Sequence, residues 1–167
     1  MQLRLLGSGI VIICFLAFSG CTLKTVDPTE AGNQAALKGK VLIATQKSKF
    51  KRTVVSEIKD NLGDNVSYVK VVDVKWLPKE SADDFNAIVI INRCMAGRPD
   101  PRVESFVDNT PDKNKVILLT TGRLDSWKPD SAEIDAMSSA SSMSETAPLA
   151  RSISDKVLDI IESQDNP

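Results

Sequence analysis

From Lys40 onward the chain alternates short, unbroken apolar runs with segments whose apolar residues recur at helical spacing, and this alternation narrows the available folds more than any other feature. Val41-Leu42-Ile43-Ala44 is a continuous apolar run, the mark of a strand buried on both faces, because a strand with one wet face alternates apolar and polar residues. Phe50, Val54, Val55, Ile58 and Leu62 follow at intervals that line one side of a helix, with charges on the other side and Gly63 as a stop. Val66 to Val74 reads as a second strand, Ala87 to Ile91 as the strongest strand, and Val116 to Leu119 as nearly its equal. Asp100-Pro101 supplies an N-cap and a first-turn proline for a short helix through Val107. Leu149, Ile153, Val157, Ile160 and Ile161 place an apolar stripe on a C-terminal helix, and Ile134 to Met137 adds a weaker edge strand.

Buried strands alternating with helices imply a parallel sheet covered on both faces and joined by right-handed crossovers. The expected class is α/β, a three-layer doubly wound parallel sheet of four to five strands. It fills residues 39–163, with 164–167 as a tail. Residues 75–85 and 122–132 are near the minimum length for a parallel crossover, so their helices are expected to be short or absent.

Ahead of this domain, Arg4 is followed by an uninterrupted apolar stretch from Ile10 to Phe18, the layout of a secretory signal peptide over residues 1–20. The stretch is shorter than the ~20 residues that a spanning helix needs. It ends in Phe18-Ser19-Gly20-Cys21, which resembles the lipobox of bacterial lipoproteins. That resemblance implies diacylation of Cys21 before cleavage and a permanent hold on the membrane through three acyl chains. A plain signal peptide followed by an ordinary cysteine is the alternative. Thr22 after the cysteine implies, by the same analogy, an outer membrane with the domain facing the periplasm. Residues 21–38, with Asp27-Pro28 and Gly32-Asn33 and no apolar period, read as a lipidated flexible tether.

Removal of the first twenty residues takes Arg4 and Cys14 with it, leaving a net charge of about −2 and no global bias toward nucleic acid. With Cys21 acylated, Cys94 is the domain's one remaining thiol, so an internal disulfide is excluded and the core must carry the stability. The sequence contains no histidine. A Ser-His-Asp triad is therefore impossible, despite the serines around 138 to 144, and zinc and haem sites are poorly supported. Asp83 and Asp84 read as solvated, and Cys94 as a small apolar residue.

By element order, residues 39 to 163 resemble a flavodoxin-like domain. In flavodoxins the loop after the first strand, of pattern [ST]-x-[ST]-G-x-[ST], wraps the FMN phosphate, using free backbone N–H groups and the positive end of the next helix. Here that loop is Thr45-Gln46-Lys47-Ser48-Lys49-Phe50. Thr45 matches, Lys47 replaces a hydroxyl residue, Ser48 stands at the glycine, and Phe50 replaces the last hydroxyl. The loop after the third strand, from Asn92 and Arg93 to Arg98, lacks an aromatic, whereas the loop after the fourth, from Thr120 through Thr121, Gly122 and Arg123, offers Trp127. Trp127 either stacks on a flavin or covers the core. Asp135-Ala136-Met137-Ser138-Ser139-Ala140-Ser141 resembles the D-x-x-[ST]-G-A-[ST] acceptor of covalently attached FMN, with Ser139 at the glycine; a simple turn is the preferred reading.

Apart from the resemblance, an open parallel sheet binds ligands at the carboxyl ends of its strands, where strand order reverses. Lys47, Lys49, Arg93, Arg98 and Arg123 lie on loops leaving those ends. If they converge, they favour an anionic ligand; if they point apart, they are solvated loop charges. Replacing the loop glycine by serine restricts the backbone approach that phosphate wrapping needs. The expectation is therefore a binding or interaction module for an anionic small molecule or an envelope protein, with no cofactor. The alternative is a redox lipoprotein that binds FMN.

Overall fold

The apolar run at Val41 becomes strand β1 (Lys40–Thr45), and its flanks explain the rest of the sheet. In this computed structural model, which describes residues 39–94, 98–122 and 133–165, β1 is paired on one side with β2 (Tyr68–Asp73) and on the other with β3 (Ala87–Arg93). The strands β4 (Val116–Thr121) and β5 (Asp135–Ser139) complete a wholly parallel sheet of order β2-β1-β3-β4-β5. The chain steps outward from β1 to β2, then returns across β1 and proceeds the other way, so the order reverses between β1 and β3. This is the flavodoxin-like doubly wound order, whose ligand crevice opens at that reversal.

Side chains alternate across the sheet and divide the core in two. Val41, Ile43, Val89, Ile91, Ile117 and Leu119 meet helix α1 (Lys49–Leu62) and helix α3 (Thr146–Asp165) through Val54, Ile58, Ile153 and Val157. Leu42, Ala44, Ile88, Ile90 and Leu118 meet helix α2 (Pro101–Asn109) through Val103, Phe106 and Val107. Fully burying an aliphatic side chain contributes roughly 1.5–3 kcal/mol. The two clusters therefore hold the three layers together without a disulfide.

The short connection after β2 contains two 3₁₀ turns, Val74–Lys79 and Ala82–Asp84, in place of a helix. Val74, Leu77 and Phe85 from this segment still cover the α2 face of the sheet. Residues 123–132 of the other short connection lie outside the described residues.

One expectation is corrected. Asn92 and Arg93, read as loop, extend β3, and Thr121 ends β4. Ladder hydrogen bonds depend on the backbone, so pairing continues past the last apolar side chain: Cys94 N–H donates to Thr121 O at 3.0 Å. Among the described residues no helix is long and apolar enough to cross a membrane.

Candidate functional site

At the end of β1 the chain turns through Gln46, Lys47 and Ser48 into α1. Ser48 is extended, and its Oγ accepts from Lys51 N–H at 3.0 Å, capping the helix. From this first turn the Lys51 side chain folds back over the loop, and its Nζ donates to Gln46 Oε1 at 2.8 Å. Lys51 is 4% exposed. Burial, reinforced by the positive charge of Arg93, lowers its pKa from 10.5 to about 8. Among the described residues no carboxylate forms an ion pair with Lys51 or Arg93.

Gln46 also reaches the opposite wall. Its Nε2 donates to Asp100 Oδ2 at 3.5 Å, and Asp100 N–H donates to Asn92 Oδ1 at 3.4 Å. Asp100 caps α2 and is gripped by Arg102 through Nε at 2.8 Å and Nη2 at 2.7 Å. The hydrogen bond from the Arg102 side chain holds the Asp100 carboxyl below the usual carboxylate range, against the opposing effect of burial. A polar strap therefore crosses the β1–β3 reversal from α1 to α2, with a neutral amide between the ammonium and the carboxylate. Arg102 already engages that carboxylate, so Lys51 lacks a full counter-charge.

Two further groups lie beside the strap. Asn92 and Thr120 are register partners on β3 and β4, on the α2 face, and are 0% and 1% exposed. Among the described residues Asn92 Nδ2 and Thr120 Oγ1 have no hydrogen-bond partner. A buried polar atom left unsatisfied costs about 1–3 kcal/mol, so this pair at the carboxyl ends of central strands calls for a partner such as an ordered water or a ligand atom.

The structure separates the residues expected from sequence. Gln46, Ser48, Asn92 and Arg93 belong to this cluster, and Thr45 adjoins it, half-buried, with its hydroxyl on Gln46 O at 3.4 Å. Lys47, Lys49 and Arg98 are exposed, as is the Arg93 side chain at the end of β3. Thr121 is buried, and its hydroxyl donates to Asn92 O at 2.9 Å, tying β3 to β4. A Cβ at Gly122 would meet Cys94 Cβ at 3.5 Å, so these two loops leave the sheet side by side. Cys21, Arg123 and Trp127 lie outside the described residues.

Around the suggested flavin acceptor, Asp135 pairs with Lys156, Ser139 donates to Glu145 at 2.8 Å, and Ser141 turns the chain at φ +65°. The segment is strand β5 and the turn that follows it. Sequence reasoning missed Lys51, although a signal exists: with Val55, Ile58 and Leu62 it forms an i, i+4, i+7, i+11 stripe on the buried face of α1. Thr120 and Asp100 were missed as site groups because their role depends on β3.

Trp76, 44% exposed, follows β2 on the same rim, with Lys75 and Lys79 at 5.4 and 4.3 Å from its ring centroid. A groove of about 340 Å³ lies farther out, between Pro78–Asp83 and α2, and reaches neither Lys51 nor Arg93. The charge pattern, and not this groove, marks the crevice.

No family model matches the chain, and no curated protein matches it in sequence. Solved structures similar to it include a flavodoxin from the domain Archaea, at 12% identity over 71% of this chain and 98% of that one, with a TM-score of 0.46. The FerB flavoenzyme NAD(P)H:(acceptor) oxidoreductase of Paracoccus denitrificans is 11% identical over 75% of this chain and 98% of that one, with a TM-score of 0.44. A flavodiiron core from Synechocystis is 8% identical over 78% of this chain and only 38% of that one, with a TM-score of 0.49.

Proposed function

We propose that the crevice at the β1–β3 reversal binds a phosphate-bearing small molecule, with FMN as the leading ligand and electron transfer as the resulting function. One observation carries this reading: Lys51, a recessed ammonium that pairs with no carboxylate among the described residues, feels the positive charge of Arg93, and the strap from it through Gln46 and Asp100 leads to Asn92 and its register partner Thr120. The flavodoxin-like strand order opens its FMN site at this reversal. The residues present fit such a group. Lys51 and Arg93 would hold its phosphate, and Asn92 and Thr120 would meet polar atoms of a ring. Once bound, the flavin would supply the redox chemistry. A departure from the flavodoxin pattern remains in the loop after β3, which lacks the flanking aromatic.

The flavin reading now stands ahead of the partner-docking module, because a recessed cation suits a small anion better than a protein surface. The docking reading keeps one observation in its favour, the exposed Trp76 flanked by Lys75 and Lys79 on the same rim. Adding FMN to the purified full chain distinguishes the two. Quenched flavin fluorescence and a shifted visible spectrum are expected; unchanged flavin signals at millimolar protein would remove the redox reading.

The anchor completes the proposal. Lipid on Cys21 would hold the domain at the periplasmic side of an outer membrane, with residues 22–38 as the tether. Cys21→Ala is expected to release the chain from the membrane fraction, and continued retention would refute lipid anchoring.

A further inference from the structure

We propose that Lys51 is the anion-binding cation of this crevice: together with Arg93 it holds a phosphate dianion, and Gln46 is its resting partner, released when the anion arrives. The inference rests on the crevice reading above and assigns the work to a residue outside the loop pattern.

Three observations converge on it. Lys51 lies 96% out of solvent, yet among the described residues its side chain's hydrogen-bond partner is a neutral amide. An ammonium desolvated to that degree is ordinarily matched by a carboxylate, and the one on the far side of Gln46, Asp100, is held in a two-point grip by Arg102. The Asn92 amide, fully buried and unpartnered at Nδ2, sits at the far end of the strap that Gln46 anchors. An anion entering between α1 and α2 would supply the missing charge to Lys51. Gln46 is only half-buried, so water can take over its freed carbonyl.

The site should also be linked to pH. Arg93 ends β3, Asp100 and Arg102 start α2 across Gln46, and Glu145 after β5 is engaged by Ser139. On α3, Lys156 is paired with Asp135. None of these supplies Lys51 with a negative partner, so a bound dianion would draw a proton onto it. With a free pKa of about 8, uptake at pH 8.5 should approach three-quarters of a proton per site, and affinity for the dianion should fall about thirtyfold between pH 7 and 9.5.

Calorimetric titration of the purified full chain with inorganic phosphate and with FMN, in two buffers of different ionisation enthalpy, tests this. Proton uptake near pH 8.5 is expected from the wild type. Lys51→Met should lose at least tenfold in affinity together with the uptake. Lys51→Arg, which keeps a permanent charge, should bind without the fall toward pH 9.5. FMN binding by Lys51→Met with wild-type affinity and pH profile would overturn the inference and leave the crevice reading intact. Absence of binding by the wild type would remove both.

Discussion

Lys51→Met should make the ligand-free protein more stable at neutral pH. Lowering the lysine pKa from 10.5 to about 8 corresponds to about 3 kcal/mol held against the ionised form in the folded state. Methionine keeps an apolar stem on the buried face of α1 but removes the charge. The lost bond to Gln46 returns about 1 kcal/mol, since water can reach the half-buried amide. The net gain is about 2 kcal/mol near pH 7, or a melting temperature about 5–10 °C higher for a domain of this size. The sign with pH follows from linkage. Between about pH 8 and 10.5 the unfolded chain keeps a proton on Lys51 that the folded chain releases, so wild-type stability rises with pH in that window. The variant lacks this contribution, and other titrating groups cancel in the difference between the two proteins. Denaturant unfolding at pH 7, 8, 9 and 10 measures it: the advantage of Lys51→Met should be largest at pH 7 and shrink steadily above pH 8. Equal stabilities at pH 7 with parallel pH profiles would refute the claim that this ammonium is buried at a cost.

Further substitutions probe the frame around the site. Gly39 has φ +111°, and a Cβ there would lie 2.7 Å from Ile161 Cδ1, so Gly39→Ala should destabilise by about 2 kcal/mol, read as a lower denaturant midpoint. Ile90, fully buried between β1 and β4 on the α2 face, should cost about 3 kcal/mol as Ile90→Ala by the same measurement. Asp100 has its pKa lowered chiefly by Arg102, so its stabilisation is present above the ordinary carboxylate pKa and lost as pH falls through the lowered folded value. Asp100→Asn should therefore flatten the acid limb of a melting-temperature profile, while asparagine continues to cap α2.

The strands and helices were legible because each carries a local period. Val41 to Ala44 and Ala87 to Ile91 are apolar throughout because both faces of the sheet are covered, and the stripe from Phe50 to Leu62 marks a helix with one buried side. The cap Asp100-Pro101 and the stop at Gly63 were equally local, the latter adopting φ +44°. Strand ends were less legible. Asn92, Arg93 and Thr121 read as loop because pairing beyond the apolar run depends on a neighbouring backbone that no local window contains.

The site divides along the same line. Gln46, Ser48 and Asn92 were named through the resemblance to flavodoxin loops, and Arg93 through the rule that crevices open at the carboxyl ends of strands, which follows from element order. Lys51 looked like one more surface lysine, even though it sits on the buried stripe. The sequence alone determined the layering and the strand-and-helix order, because hydrophobic period and chain connectivity are one-dimensional properties. Only the tertiary structure decided which charge is stripped of water, which carboxylate is already taken by Arg102 and which amide lacks a partner. Desolvation and hydrogen-bond satisfaction are sums over neighbours from β1, β3, β4, α1 and α2, and those neighbours meet only when the sheet is assembled.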